Sequence, residues 1–539
     1  MKAKHKQDYH PVPLPASNIA VRTIGKYRYA YHIGKGFRNT KGQPSSEQAA
    51  IGRVSQDGML IPNDNYFAIY RKHPTEQMQI DSILNFGDFF LLDSLAKDIG
   101  LAAVLQNVFG ELGDDILLLA IYTALTGQAY YRCDGWCRET LTGRKKVITS
   151  QRCSRVLTTI DEHKRMDFFR AWVHARQQHE YLAYDVTSIS SYARGNDVVE
   201  FGYNRDNEDL PQINLGMYYG EESMLPIFYC TYKGSIVDKT HLSYMMKHNE
   251  RLGIKDVCFV MDRGFYTEDN VRSLAFSHRF IVGMSNHLAL SKEMIGQYGQ
   301  KVMSSRYDIG LTGAKGIAIE DARYDFRCNI HLFHSTDKIA DEERSFKAKL
   351  VNWEESLKDG KAVKKAEDYF QVTIGNDHKT VQVTRDHDAI DEKIHNLGYF
   401  LMMTTDLNKS PEDILDIYRR KGVIEKSFDE IKNGLDLKRL RIHSEAAMDG
   451  KMFIAFIGLI LKTFVHNKLK NYLDANRPVS MAQIFDELRM VKVVKTKQGM
   501  MLLNPLTKRQ RTILENMNKT EEELIIAVEQ YDSPKPFFG

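Results

Sequence analysis

Three carboxylates in this chain stand where an ordinary fold has little use for them. Asp185 interrupts the apolar run YLAYDVTSI, and Asp262 closes another, DVCFVMDRGF. An ionised carboxylate inside or at the end of a core strand is costly unless it is paired or binds a metal. At the end of a central α/β strand, Asp262 would open into the usual binding crevice. Glu425 lies in IYRRKGVIEKSFDEIK, residues 417–432, among basic neighbours. On a helix turning about 100° per residue, with Tyr418 at zero, Lys421, Glu425 and Lys432 fall near about −60°, −20° and −40°, a single stripe. Ile417, Ile424, Phe428 and Leu435 fall near about −100°, the face expected to pack on a sheet. Asp429 lies close to the stripe as a weaker candidate, and Glu430 is expected to face solvent. Taken alone, the helix also reads as a solvated amphipathic surface with i,i+4 ion pairs.

The two strand acids change that balance. Three carboxylates from two strands and a helix edge, with cations beside one of them, form the ligand set of a two-metal phosphoryl-transfer site. Oxygen donors suit Mg²⁺, so Asp185, Asp262 and Glu425 are expected to hold two Mg²⁺ ions, with Mn²⁺ able to substitute. Tyr418, Lys421 and Lys432 would hold phosphates at that site. Downstream, LDLKRLRIHSE supplies Lys438, Arg439, Arg441 and His443, read as DNA-backbone contacts in preference to a merely solvated run. Arg263 reads equally well as a structural partner of Asp262.

The elements that must position these residues can be read from periodicity. Residues 20 to 72 alternate apolar and polar positions between turn signals such as NTKGQP and SQDGML, so 1–80 is expected to be a β-rich module. Residues 81–178 carry helical spacing (DDILLLAIYTAL, RVLTTIDEHKRMDFFRAWVHAR) and suit a DNA-binding or dimerisation region. EYLAYDVTSIS, QINLGMYYG and LPIFYCTYK read as consecutive strands, followed by a helix, the buried strand of Asp262 and the strand HRFIVGM, which makes 179–284 the first part of an α/β core. Regularity breaks down over 285–395, expected to be a separate domain with strand-like pieces and a lysine-rich helix. LGYFLMMTTDL then resumes the core over 396–475. Ser410, Pro411 and two acids in the first turn mark the start of the Glu425 helix. Residues 476–539 are expected to be helical.

Composition narrows the class. At 539 residues, 43% hydrophobic and 27% charged, the chain should fold into several soluble units. A net charge of +4 and a pI near 8.4 allow a nucleic-acid partner without demanding one. The six cysteines read as reduced thiols. Cys133 and Cys137 could be half of a metal site, but no second pair with finger spacing follows them. The amino terminus shows no apolar signal segment, and the run MFIAFIGLILKTFV, 452–465, is too short to span a bilayer, so a cytoplasmic, nucleoid-associated protein with no membrane partner is expected.

In these residues the chain resembles the DDE transposases of bacterial insertion sequences, in the large family-four group whose third acid lies in a Tyr, Arg, Glu, Lys helical signature. Tyr418, Lys421, Glu425 and Lys432 match that spacing, and the segments around Asp185 and Asp262, with GYNRDNEDLPQINLGMYY between them, look like the family's other core segments. The resemblance covers roughly 181–462. Where the family has arginine this chain has Lys421, which cannot make arginine's bidentate phosphate contact, although Arg420 stands beside it. The resemblance implies an RNase H-like mixed-sheet core interrupted over 285–395 by a β-rich insertion domain that contacts the transposon end. It also implies a role for Trp353 in stacking on a flipped base, against which stands ordinary packing within its own domain. The implied activity is cleavage of the element's ends and joining of the freed 3′-hydroxyls to target DNA, by a homodimer in a synaptic complex with both DNAs. The alternatives are a non-catalytic DNA-binding protein on a decayed or domesticated copy of the fold, and a plain metal-dependent nuclease.

Overall fold

The computed structural model describes the chain except for residues 1–10, 40–41, 71–79, 145–146, 177–180, 194–195, 256, 362, 375–380, 436, 441, 443, 474–478, 498 and 533–539. It forms two compact units, Met1–Leu84 with Val493–Asn504, and Asn85–Lys492 with Pro505–Gly539.

In the first unit, the alternating amino-terminal segment folds into a sequential antiparallel sheet of β1 (Ile19–Ile24), β2 (Tyr27–Arg38), β3 (Pro44–Val54) and β4 (Leu60–Pro62), followed by α1 (Asp64–Tyr70). One face is apolar: Ala30, Ile51, Val54 and Leu60 are buried, with Ile19, Tyr66 and Tyr70 packed on them. β3 and β4 approach closely because position 52 is glycine, where a Cβ would lie 2.2 Å from the Ile61 carbonyl oxygen. β5 (Ile80–Asn85) pairs elsewhere, in a three-stranded sheet with Lys492–Thr496 and Met501–Leu503. The carboxy-terminal region is therefore not helical throughout, and its hairpin finds its partner strand near the other end of the chain.

The second unit opens with helices α2 (Gly87–Asp98), α3 (Leu101–Phe109), α4 (Glu111–Thr126), α5 (Cys133–Arg138), α6 (Ser150–Thr159) and α7 (Glu162–Arg176). The strands that follow build one mixed sheet. They are β6 (Tyr181–Ser191), β7 (Gln212–Gly220) and β8 (Pro226–Lys233), then, after α8 (Asp238–Leu252), β9 (Cys258–Met261), and after α9 (Glu268–Ser277), β10 (Arg279–Met284). In space they run β8-β7-β6-β9-β10, antiparallel from β8 to β6 and parallel from β6 to β10. β7 is buried along its whole length, and its two polar side chains, Gln212 and Asn214, are hydrogen-bonded to each other and to the backbone of neighbouring segments.

The segment 285–395 does not form a separate β-rich domain. After α10 (Ala289–Val302), its strands β11 (Asp308–Ile309), β12 (Ala314–Asp321) and β13 (Cys328–Ser335) extend the central sheet. Then come α11 (Thr336–Lys358), the hairpin β14 (Phe370–Ile374) and β15 (Val381–Arg385), and α12 (His387–His395), with a small core of their own around Phe346, Leu350 and Ile390. β16 (Tyr399–Thr404) lies between β13 and β10, antiparallel to both, and so ties the added strands to the core.

From β16 the chain enters α13 (Pro411–Arg420). Ser410 caps it and forms a capping box with Asp413, with Pro411 in the first turn, as its sequence demands. A break follows, then α14 (Gly422–Asp429), a π turn over Glu430–Gly434, and the short β17 (Arg439–Leu440) beside β6. α15 (Glu445–Leu473) contains the long apolar run and is buried against α4 and α6. Its crossing with α6 is tight enough that a Cβ on Gly450 would lie 2.1 Å from the Leu157 carbonyl oxygen. Among the described residues no helix is long and apolar enough to cross a membrane. All six cysteines carry free thiols.

Candidate active site

Parallel pairing of β6 and β9 ends with Tyr184 opposite Met261. The next residues on the two strands are Asp185 and Asp262, so the sheet sets these carboxylates side by side at the carboxyl end of β9. Each is held by its own backbone and by one side chain from the segment after β16. Asp185 accepts from the Val186 N–H at 2.8 Å and from the Lys421 ammonium at 3.3 Å. Asp262 accepts from the Arg263 N–H at 2.7 Å and from the Tyr418 hydroxyl at 3.1 Å. Lys421 is buried, 6% exposed. Burial pushes the Tyr418 phenol well above its usual range, and the Asp262 and Asp185 carboxylates push it further, so it remains a donor.

Tyr418 reaches Asp262 past Gly283 on β10. A Cβ at that position would lie 2.8 Å from the Tyr418 hydroxyl and 3.1 Å from the Arg263 nitrogen. Gly283 is a part of the site that sequence reasoning missed, since a glycine in an apolar strand carries no signal of what approaches it.

The helix expected to be continuous is not. Lys421 closes α13 with its N–H on the Tyr418 carbonyl, and α14 starts afresh at Gly422. Beyond Asp429 the π turn places the Leu435 N–H on the Glu430 carbonyl. The straight-helix stripe is therefore broken twice. Tyr418 and Lys421 arrive at the aspartates, whereas Glu425 is exposed on α14 and lines a cleft of about 540 Å³ with Lys462, His466 and Met481. Among the described residues no three His, Cys, Asp or Glu side chains are grouped so as to hold a metal ion. Glu430, expected to face solvent, is ion-paired with Lys462. Asp429 is exposed. The apolar stripe did form: Ile417, Ile424, Phe428 and Leu435 are all buried.

Of the cations expected to meet DNA, several are already engaged. Lys432, 9% exposed, binds both carboxylate oxygens of Asp206 at 2.7 and 2.8 Å. Arg439 pairs with Glu208 at 2.7 Å and holds that carboxyl below the usual range. Both acids come from the β6–β7 connection, NRDNEDL, whose sequence carried the charges without revealing their partners. Arg420 and Lys438 are exposed, and Arg441 and His443 lie outside the described residues. Trp353 is half-buried on α11, stacked on Tyr369 with ring centroids 6.1 Å apart and planes at 16°. Beside the aspartates, a cavity of about 430 Å³ is lined by Arg263, Tyr418, His287, Lys338, Lys349 and Lys393. Lys338 lies over the Phe400 ring, 4.5 Å from its centroid, and burial pulls its pKa down. The charge run on α11 was visible in sequence, but not which of its lysines turn inward.

The family model of the transposase DDE domain matches residues 176–461. Among solved structures, the cryo-EM structure of a piggyBac transposase synaptic complex with hairpin DNA is similar at 11% identity and a TM-score of 0.33, covering 84% of this chain and 77% of that one. A likeness that loose does not bear on the fold or the chemistry. No curated protein matches the chain.

Proposed function

The chain belongs to the family of the transposase DDE domain, whose model spans more than half of it, and we propose that it is a metal-dependent DNA strand transferase of the family-four insertion-sequence type on an RNase H-like core. The observation that carries this reading is the pairing of Asp185 with Asp262 at one level of two parallel strands, each braced from the helix that follows β16. The strand order β8-β7-β6-β9-β10, three antiparallel and two parallel, is what an RNase H-like core would have.

The donor set suits a hard divalent cation at the aspartate pair: both are carboxylates and Asp262 takes its two hydrogen bonds on one oxygen, while the Lys421 ammonium on Asp185 would have to yield to a metal bound there. By resemblance to the family, Asp185, Asp262 and Glu425 would hold two Mg²⁺ ions, which when bound would make water or a 3′-hydroxyl a better nucleophile and neutralise the leaving oxygen; the aspartate pair stands ready for this, and Glu425 would have to come to it from the cleft it lines with Lys462. The remaining roles fall to the chain itself. Tyr418 fixes the rotamer of Asp262 by donating to one oxygen, leaving the other open. Lys421 neutralises Asp185 and, where that carboxylate turns to a metal, would pair its ammonium with a DNA phosphate as a point charge in place of the family's arginine fork. Arg420 and Lys438 are the exposed cations available to the DNA backbone. The reaction cleaves a phosphodiester at an element end and joins the freed 3′-hydroxyl to target DNA, within a homodimeric synaptic complex.

Glu425 is the residue whose position favours a second reading, a DNA-binding protein without catalysis on the same fold, because α14 carries it into a different cleft. Strand cleavage on end-containing DNA with Mg²⁺ separates the two. Wild type should cleave and join, and Asp262→Ala and Glu425→Ala should each lose at least about a thousandfold in rate, as expected when charge stabilisation at the reacting phosphate is removed. Cleavage by Asp262→Ala at the wild-type rate would sink the assignment. Binding without cleavage under any divalent ion would favour the second reading, and cleavage without joining would favour a plain nuclease.

A further inference from the structure

The amino-terminal sheet buries one face and leaves the other to solvent, and the segment that forms it has a charge balance unlike the rest of the chain. Residues 19–54 contain seven lysines and arginines and one acid, Glu47, against a net charge of +4 for all 539 residues. The strands that carry this charge also align it. Tyr29 on β2 lies opposite Arg22 on β1 and opposite Arg53 on β3, so a tyrosine is flanked by two arginines in one row across the sheet. Tyr27 and Tyr31, two residues to either side, share that face, because alternate residues of a strand point the same way. Arg22 lies over the Tyr31 ring at 5.2 Å and also donates to Gln48 Oε1 at 2.7 Å. Arg53 lies over the Tyr27 ring at 5.1 Å, and Lys26 over the same ring at 5.5 Å. Neither Arg22 nor Arg53 has a carboxylate partner among the described residues, and both are exposed.

We propose that this face of the β1–β3 sheet is a docking surface for the phosphate backbone of duplex DNA. The charge is of one sign, and its two central arginines lie over tyrosine rings, Arg22 being bonded to Gln48 as well, so less rotamer freedom is lost on binding. The same contacts decide between duplex and single strand. A surface that takes unpaired bases needs free aromatic faces to stack them on. Here the Tyr27 and Tyr31 faces are covered by guanidinium groups, and what projects is positive charge. Phosphates meet such a surface, with no reading of base sequence. The inference rests on the transposase reading only for which DNA is bound; the surface itself stands on its own residues.

The test uses the full chain without divalent ions and a short mixed-sequence duplex, with binding followed by fluorescence anisotropy over a series of NaCl concentrations. The double variant Arg22→Gln, Arg53→Gln should bind at least about tenfold more weakly, with the slope of log affinity against log salt shallower by about 2, since each phosphate contact contributes about 0.9. Its thermal midpoint should not move, because both side chains are exposed. Arg22→Lys, Arg53→Lys should recover most of the slope, which a purely structural role would not predict. Unchanged affinity and slope in the glutamine variant would overturn the proposal, and so would a loss confined to single-stranded DNA. If the glutamine variant weakens duplex binding while Asp262→Ala cleaves like wild type, the surface stands and the active-site reading falls.

Discussion

At the scale of single residues, the site depends on a contact between a tyrosine and a strand that leaves no room for a side chain. Tyr418 crosses β10 at Gly283 to donate to Asp262, and a methyl group there would meet the hydroxyl at 2.8 Å and the Arg263 backbone at 3.1 Å. The backbone cannot yield cheaply, so in Gly283→Ala the tyrosine must move. Overpacking of this kind costs about 1–3 kcal/mol, and urea unfolding of Gly283→Ala against wild type measures it. Cleavage in the variant should fall at least tenfold while Tyr418→Phe, which keeps the ring and loses only the hydroxyl, loses activity with a stability change under about 1 kcal/mol. Equal stability of wild type and Gly283→Ala would show that the contact is looser than the structure has it. Asp185 and Asp262 were legible beforehand because a carboxylate in an apolar strand is expensive and therefore conspicuous. Gly283, Asp206 and Glu208 were not, because their roles consist of what approaches them from distant parts of the chain.

Elements were legible where a local pattern determines them. The capped start of α13, the strands β6 to β10 and the buried α15 all follow from spacing, caps and apolar runs. Two features escaped for identifiable reasons. Helical periodicity assumes a uniform turn, so it could not anticipate the break at Lys421 or the π turn over Glu430–Gly434, after which Lys432 binds Asp206. Strand patterns also do not say which sheet a strand joins, so β11 to β13 read as a separate domain when they extend the core. One of these strands has a thermodynamic signature. His331 and His334 are both buried on β13, and burial holds the His331 imidazole down at about 4 from its usual 6.5. The unfolded chain then takes up this proton from pH 6.5 downward while the folded chain does so only near 4. Stability should therefore fall as pH drops across that window, by about 3 kcal/mol from His331 alone. In His331→Phe the acid-side decline in a urea midpoint series should be shallower; an unchanged profile would mean that the imidazole is protonated in the fold.

For the whole molecule, the distance between sequence neighbours and structural neighbours becomes the governing fact. Asp88, at the start of α2, has a side chain 2% exposed and is paired with Arg489 at 3.2 Å, and the Phe86 and Gly87 N–H groups bond to the Val491 carbonyl. Residues near 490 thus complete the helical part of the second unit from the far side of the sequence. Burial raises the Asp88 pKa, with Arg489 opposing it, so removing the arginine leaves a carboxyl in an apolar setting. A chain ended after residue 479 should lose cooperative unfolding, or at least about 3–5 kcal/mol, the usual cost of stranding a buried charge; circular dichroism melting checks this, and a sharp transition near the wild-type midpoint would contradict it. Charge is as unevenly spread as contacts are. Residues 19–54 carry seven basic residues against one acid while the entire chain is only +4, so everything outside that segment sums to slightly negative. The isoelectric point near 8.4 is then an average over two dissimilar parts. In chromatographic terms, the protein should cling to a cation-exchange resin at a pH where its mean charge would predict early elution, held by one small sheet with the remainder of the molecule indifferent to the matrix.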